Sequence, residues 1–301
     1  MLKIVKQSEP LRVERINLCL YGPPGLGKTT LAFTADKPLL LDCDGGCYRA
    51  PNRKDSVPVN SWADIANITA ADLAPYNTII VDTAGRALDF LTQDIIAGNP
   101  KMGRGGALTL QGFGELKAKF TAWLKSLRLM GKEVLLVAHM DEQRSGDDVI
   151  ERLDVQGGSK GEIYKSVDAM GRVIMRNGQR YLDFSPRENS FGKNPCNLDV
   201  LPIPEVAKEP DFLAEVVERI KSRLNQRTAE QEKASDELAD WTLAIEAYSA
   251  VEEFNKNLPA IKKTAPAVQL LASKRAKSLG FVYDPKKMQF VEKKQPAAQV
   301  A

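Results

Sequence analysis

The chain has 301 residues, of which 43% are hydrophobic and 27% charged, and a formal net charge of +3. This is the composition of an ordinary soluble globular protein with one large or two modest domains. Charges at Lys3, Lys6, Glu9, Arg12, Glu14 and Arg15 interrupt any leader-like apolar core, and apolar runs such as 134–138 are too short to span a bilayer, so the expected setting is the cytoplasm, with no membrane partner.

The first predicted element is an apolar strand over 16–21. It runs into Gly22-Pro23-Pro24-Gly25-Leu26-Gly27-Lys28-Thr29, which fits G-x-x-x-x-G-K-[ST] at every fixed position. Its glycines allow the backbone to turn so that successive N–H groups point inward and cradle phosphate oxygens. Lys28 is placed to reach the β- and γ-phosphates, and Thr29 to offer a hydroxyl to Mg²⁺. Thr29 and Thr30 open a helix, so the phosphate lies at a helix N-terminus. ATP with Mg²⁺ is the implied ligand, held by residues 22–30.

A strand over 38–42 follows and ends in Asp42-Cys43-Asp44-Gly45-Gly46. Open α/β sheets hold ligands at the carboxyl ends of their strands, so Asp42 and Asp44 are expected near the γ-phosphate, with Asp44 to orient or deprotonate the attacking water. An ordinary Asp-Gly turn is the alternative. Strand 78–82 ends in Asp82, where nucleoside triphosphatases carry the Mg²⁺-binding Asp. A glycine-containing basic loop, with Lys101 and Arg104, precedes an amphipathic helix over 115–129. Strand 133–139 ends in His139, the only histidine, which is expected to contact the γ-phosphate and report its state to the loop 140–160. That loop carries Arg144, Gly157, Gly158 and Lys160. Both loops are candidates for gripping a nucleic-acid backbone, with plain surface loops as the alternative. Strands over 172–176 and 181–184 flank Asn177-Gly178, a hairpin signal.

Alternating strands and helices predict an α/β core over 1–203, with a mainly parallel sheet flanked by helices. Pro202, Pro204 and Pro210 mark a boundary. A helical linker over 204–238 follows, with one apolar stripe from Phe212 to Leu224 and a polar stretch over 225–240. A small helical domain is expected over 239–292, with one helix starting at Trp241 and another over 268–279, and then a disordered tail over 293–301. From Asn255 to the end there are ten basic and two acidic residues, leaving −5 for residues 1–254, which suggests an anionic partner for the C-terminal segment. The cysteines, Cys19, Cys43, Cys47 and Cys196, read as free thiols, and Cys43 and Cys47 lack the second pair a zinc site needs.

The order of these segments resembles a RecA-type core. Within residues 11–199 it is most similar to the phage RecA-like single-strand annealing proteins, the Sak group of recombinases. Asp44 stands where RecA proteins carry a catalytic Glu, and His139 where they carry a nucleotide-sensing Gln. Lys101–Gly106 and Gly157-Gly158 match the DNA-binding loops by position. The resemblance implies a weak ATPase of a phage-infected or lysogenic host that binds single-stranded DNA, anneals complementary strands, forms a ring or filament and meets a single-strand-binding protein. It also implies that a neighbouring subunit supplies a cation to the γ-phosphate, with Lys160, Lys165, Arg172, Arg176 and Arg180 as candidates. Rival readings are an AAA-type helicase loader and a small-molecule P-loop kinase.

Overall fold

The computed structural model describes residues 12–145, 148–155 and 159–292. Its elements, in chain order, are β1 (Asn17–Gly22), α1 (Lys28–Ala32), β2 (Pro38–Asp42), β3 (Ser56–Pro58), α2 (Ala63–Ala66), β4 (Thr78–Asp82), α3 (Ala84–Gly98), β5 (Gly103–Arg104), β6 (Ala107–Leu108), α4 (Leu110–Leu129), β7 (Glu133–Ser145), β8 (Asp148–Leu153), α5 (Ser159–Ser166), β9 (Ala169–Arg176), β10 (Gln179–Asp183), β11 (Leu201–Pro202), α6 (Phe212–Ala247), α7 (Val251–Ile261), α8 (Pro266–Ser278), β12 (Phe281–Asp284) and β13 (Gln289–Glu292).

The chain forms two compact units that divide between Leu224 and Asn225, within α6. The first holds a mixed, mainly parallel sheet in the order β11-β10-β9-β1-β7-β4-β2-β3, with β8 paired to β7. Its central strands are nearly all apolar because both faces are covered. Alternate residues serve opposite faces: Cys19 and Tyr21 join one core with Leu88 of α3 and Phe120 of α4, while Leu18 and Leu20 join the other with Leu31 of α1 and Val216 of α6.

Strand β7 is parallel to both neighbours, and the register sets Gly22 beside His139 and Asp82 beside Val137. Asp42 lies beside Asp82. One edge of the sheet therefore gathers the ends of the strands that carry the candidate residues. At the start of β7 the buried Glu133 holds α6 and the first strand together, accepting from Lys221 Nζ at 2.8 Å and from the Ile16 N–H at 2.7 Å.

Two expectations need correction. His139 does not end a strand: β7 continues to Ser145 and turns into an antiparallel pairing with β8, Met140 opposite Leu153. The expected loop 140–160 is largely this hairpin. Asp141, Glu142 and Gln143 have no apolar alternation because neither flank of the arm needs to be buried. Gly157 and Gly158 lie outside the described residues. Likewise Trp241 does not start a helix. It lies inside α6, which runs through the polar stretch 225–240.

The Asn177-Gly178 turn behaves as its residues dictate, with φ of +49° and +77°, and it joins β9 to β10 antiparallel. In the second unit α7 and α8 pack with the hairpin β12–β13 around Phe254, whose ring lies 5.0 Å from that of Tyr248 and 5.5 Å from that of Phe290. Pro266 opens α8, and Gly280, at φ +83°, ends it. The tail 293–301 lies outside the described residues.

Candidate nucleotide site

The phosphate-binding loop bridges β1 and α1. Gly25 and Gly27 take φ of +80° and +73°, values that favour glycine. Gly22, at φ +157°, adds a demand for close approach, since a Cβ there would sit 2.6 Å from the Val173 carbonyl oxygen of β9. Lys28 is buried and folds back over the loop, donating to the carbonyls of Gly22 at 3.0 Å and Pro23 at 2.9 Å. Burial lowers its pKa, against the pull of Asp82 and Asp44.

The Thr29 hydroxyl donates to Asp82 Oδ2 at 2.6 Å, which joins the start of α1 to the end of β4. Asp82 is 6% exposed, and burial raises its pKa despite that bond. The backbone of Asp82 also fixes its neighbour: its carbonyl accepts from the N–H groups of Cys43 at 2.8 Å and Asp44 at 3.2 Å. Asp42 is a brace for this turn. Its carboxylate accepts from the Gly46 and Cys47 N–H groups at 3.0 and 3.2 Å.

Asp44 and His139 meet, with Nε2 to Oδ2 at 3.2 Å, and Arg86 at the start of α3 reaches the other Asp44 oxygen at 3.4 Å. The hydrogen bond from His139 holds the Asp44 carboxyl below the usual carboxylate range, with Arg86 assisting and partial burial opposing. His139 Nδ1 is buried without a hydrogen-bond partner among the described residues. Lys28, Thr29, Thr30, Asp44, Asp82 and His139 line one cavity of about 600 Å³, which Pro24, Gly25 and Gly27 also border.

A magnesium-bound triphosphate fits this donor set. The Thr29 hydroxyl and the Asp82 carboxylate are hard oxygen donors within bonding distance of each other, and a buried ammonium stands beside them. No cluster of three or more His, Cys, Asp or Glu suited to a metal occurs among the described residues. That agrees with the way Mg²⁺ is usually held, by one or two carboxylates plus phosphate and water. When bound, the ion would neutralise charge on the phosphates.

The other candidates scatter. Lys101 and Arg104 are exposed around the small β5–β6 hairpin, whose turn glycines, Gly105 and Gly106, have φ of +59° and +82°. The side chains of Arg144 and Lys160 lie outside the described ones. Among the cations expected to act on a neighbour, Lys165 pairs with Glu162 at 3.2 Å and the buried Arg172 with Glu151. Arg180 donates to the Leu26 carbonyl at 3.3 Å, on the phosphate loop of its own chain, while Arg176 is exposed. Arg49 of the lining, and Arg86 beside Asp44, were not foreseen. Arg49 had a usable signal, since it lies only five residues beyond Asp44 in the turn that follows the same strand.

A protein family described as "AAA domain" matches residues 14–196. No curated protein matches the sequence. Among solved structures, a KaiC-like protein of the hyperthermophilic archaeon Pyrococcus horikoshii OT3 is 11% identical, with a TM-score of 0.35, over 64% of this chain and 92% of that one. An ATPase of the type III secretion system of pathogenic bacteria is 13% identical, with a TM-score of 0.32, over 53% of this chain and 51% of that one. No described helix is long and apolar enough to cross a membrane.

Proposed function

We infer the function from the family to which this chain belongs, the AAA domain family, and from the site itself. The chain is a P-loop ATPase domain of AAA type. Beyond that, we propose that it is a weak ATPase coupled to DNA. It binds Mg²⁺-ATP, grips single-stranded DNA, promotes annealing of complementary strands and works as a homo-oligomer, ring or filament, in the cytoplasm of a phage-infected or lysogenic host.

The observation that carries the proposal is the Asp44–His139 contact, because it links the phosphate cavity to the arm β7–β8. Asp44 is placed to orient the water that attacks the γ-phosphate, yielding ADP and phosphate. Held at a low pKa it is a weak base, so it acts by accepting a hydrogen bond from that water more than by holding its proton. His139 faces the same cavity and is followed at once by the antiparallel arm. A change in the γ-phosphate would move the His139–Asp44 pair and with it the start of that arm. The exposed Lys101 and Arg104, with the basic segment from Asn255 onward, supply charge for a phosphate backbone or for the acidic tail of a single-strand-binding protein.

The test is a titration of the full chain with single- and double-stranded oligonucleotides, with and without Mg²⁺-ATP, alongside an annealing assay. ATP is expected to strengthen single-strand binding and speed annealing, and His139→Ala is expected to remove most of the ATP dependence. DNA binding absent in every condition would discard the recombinase reading. The rival reading, an AAA-type helicase loader, would then take its place.

A further inference from the structure

The phosphate cavity is lined by one cation that has no role in the account above. Arg49 sits in the 3-10 turn Cys47–Arg49 beyond Asp44 and borders the cavity together with Lys28, Thr29 and Asp82. A terminal nitrogen of its guanidinium lies where a Cβ at Gly46 would sit, so the bare backbone of Gly46 lets the guanidinium rest against the turn. Gly46 itself has φ of −114°, a value open to any residue. Its glycine is therefore explained by space and not by backbone strain.

Arg49 is exposed and rests over the Tyr48 ring, 5.4 Å from its centre. No carboxylate among the described residues pairs with it, although Asp42 and Asp44 stand in the same lining. Its donors are thus available. The turn that carries it is fixed at both ends: Asp42 accepts from the Gly46 and Cys47 N–H groups, and Asn52 Nδ2 donates to the Thr30 carbonyl at 3.0 Å. A guanidinium presents its N–H groups in a fork that matches phosphate oxygens, and it stays charged at any working pH.

We propose that Arg49 is a phosphate-binding cation, supplied to the nucleotide by the same chain that holds it. Lys165, Arg172 and Arg180 are engaged within their own chain, at Glu162, Glu151 and the Leu26 carbonyl. The proposal rests on the reading of the cavity as an ATP site.

The test is calorimetric titration of the full chain with Mg²⁺-ATP and with Mg²⁺-ADP. Arg49→Ala is expected to weaken Mg²⁺-ATP by about 10- to 100-fold, the range of a hydrogen bond to a charged group. Arg49→Lys should recover part of the loss. Gly46→Ala should cost less than Arg49→Ala, because the flexible guanidinium can shift past the added methyl, and it should add little in the Arg49→Ala background. A loss confined to ATP places Arg49 on the terminal phosphate, and a loss shared by ADP places it on the inner ones; either supports the proposal. Wild-type affinity in Arg49→Ala overturns it, provided that the wild type binds ATP and Lys28→Ala does not. A wild type that binds no nucleotide overturns the ATP reading instead.

Discussion

Replacing Asp82 by Asn separates the two demands that its position makes. Without Mg²⁺ the carboxylate is a liability that the nearby Lys28 ammonium offsets only in part. It is 6% exposed, Asp42 and Asp44 line the same cavity, and its one compensating side-chain bond is the Thr29 hydroxyl at 2.6 Å. Asn keeps the shape and can still accept from Thr29. The bond then falls from charge-assisted to neutral strength, a loss of about 1 kcal/mol. Removing a buried ionised group returns several kcal/mol in effective terms, so the free protein should gain about 1–3 kcal/mol. For a unit the size of Val13–Leu224 that is a rise in Tm of roughly 2–12 °C.

With Mg²⁺-ATP the order should change. A ligand at a hundred times its Kd stabilises by about 2.7 kcal/mol, worth roughly 5–11 °C here. The wild type should show that increment only when Mg²⁺ accompanies ATP, and Asp82→Asn should show little difference between ATP with Mg²⁺ and ATP with a chelator. The assay is thermal unfolding of both proteins in three conditions: no nucleotide, ATP with chelator, and ATP with Mg²⁺. An Asp82→Asn protein whose Mg²⁺-dependent increment equals that of the wild type would refute the assignment of Asp82 to the cation.

Asp44→Asn should keep nucleotide affinity and lose turnover by about a hundredfold or more, the scale of a positioned acid–base group, as read by steady-state phosphate release; an unchanged rate would reduce Asp44 to a turn residue. Replacing Lys274, Lys277, Lys286 and Lys287 together by Gln should lower the slope of log affinity against log salt for single-stranded DNA by about 3, if all four meet phosphates. An unchanged slope would leave these lysines merely solvated. Asp183 carries a pH prediction. It is 1% exposed, and although burial opposes it, the Ser185 N–H at 3.0 Å and Arg187 at 2.7 Å hold its carboxyl below the usual range. A depressed carboxyl contributes stability that is complete above its unfolded pKa and lost as pH falls through the folded one. Asp183→Asn should therefore be less stable than wild type in urea at neutral pH, with the gap closing between about pH 5 and pH 2. A gap that stays constant over that range would mean that the Asp183 charge is not what stabilises.

Which residues could be read from the sequence follows from where their constraints come from. The phosphate loop was legible because its demands are local: Gly25 and Gly27 are fixed by their own φ values, and Lys28 and Thr29 by their spacing from them. Strands β2 and β4 were legible to the residue because burial on both faces makes them unbroken apolar runs that stop at Asp42 and Asp82. The arm of β7 beyond His139 gave no such signal, since Asp141, Glu142 and Gln143 are exposed and the arm meets the core at its base, through Met140 and Leu153. The same holds for α6 over 225–240, where an exposed helix has no stripe, and only its abundance of Ala, Glu, Gln and Lys hinted at helix. The hairpin β12–β13 was missed because its strands are four residues each. The cations were hardest. Arg86 finds Asp44 from 42 positions away, while Arg172 and Arg180 spend their charge on Glu151 and the Leu26 carbonyl. What an arginine can do for a ligand depends on which acceptors the fold has already given it. The resemblance nominated five cations for a neighbour's γ-phosphate, and Arg49, which the fold sets at the cavity of its own chain, was not among them.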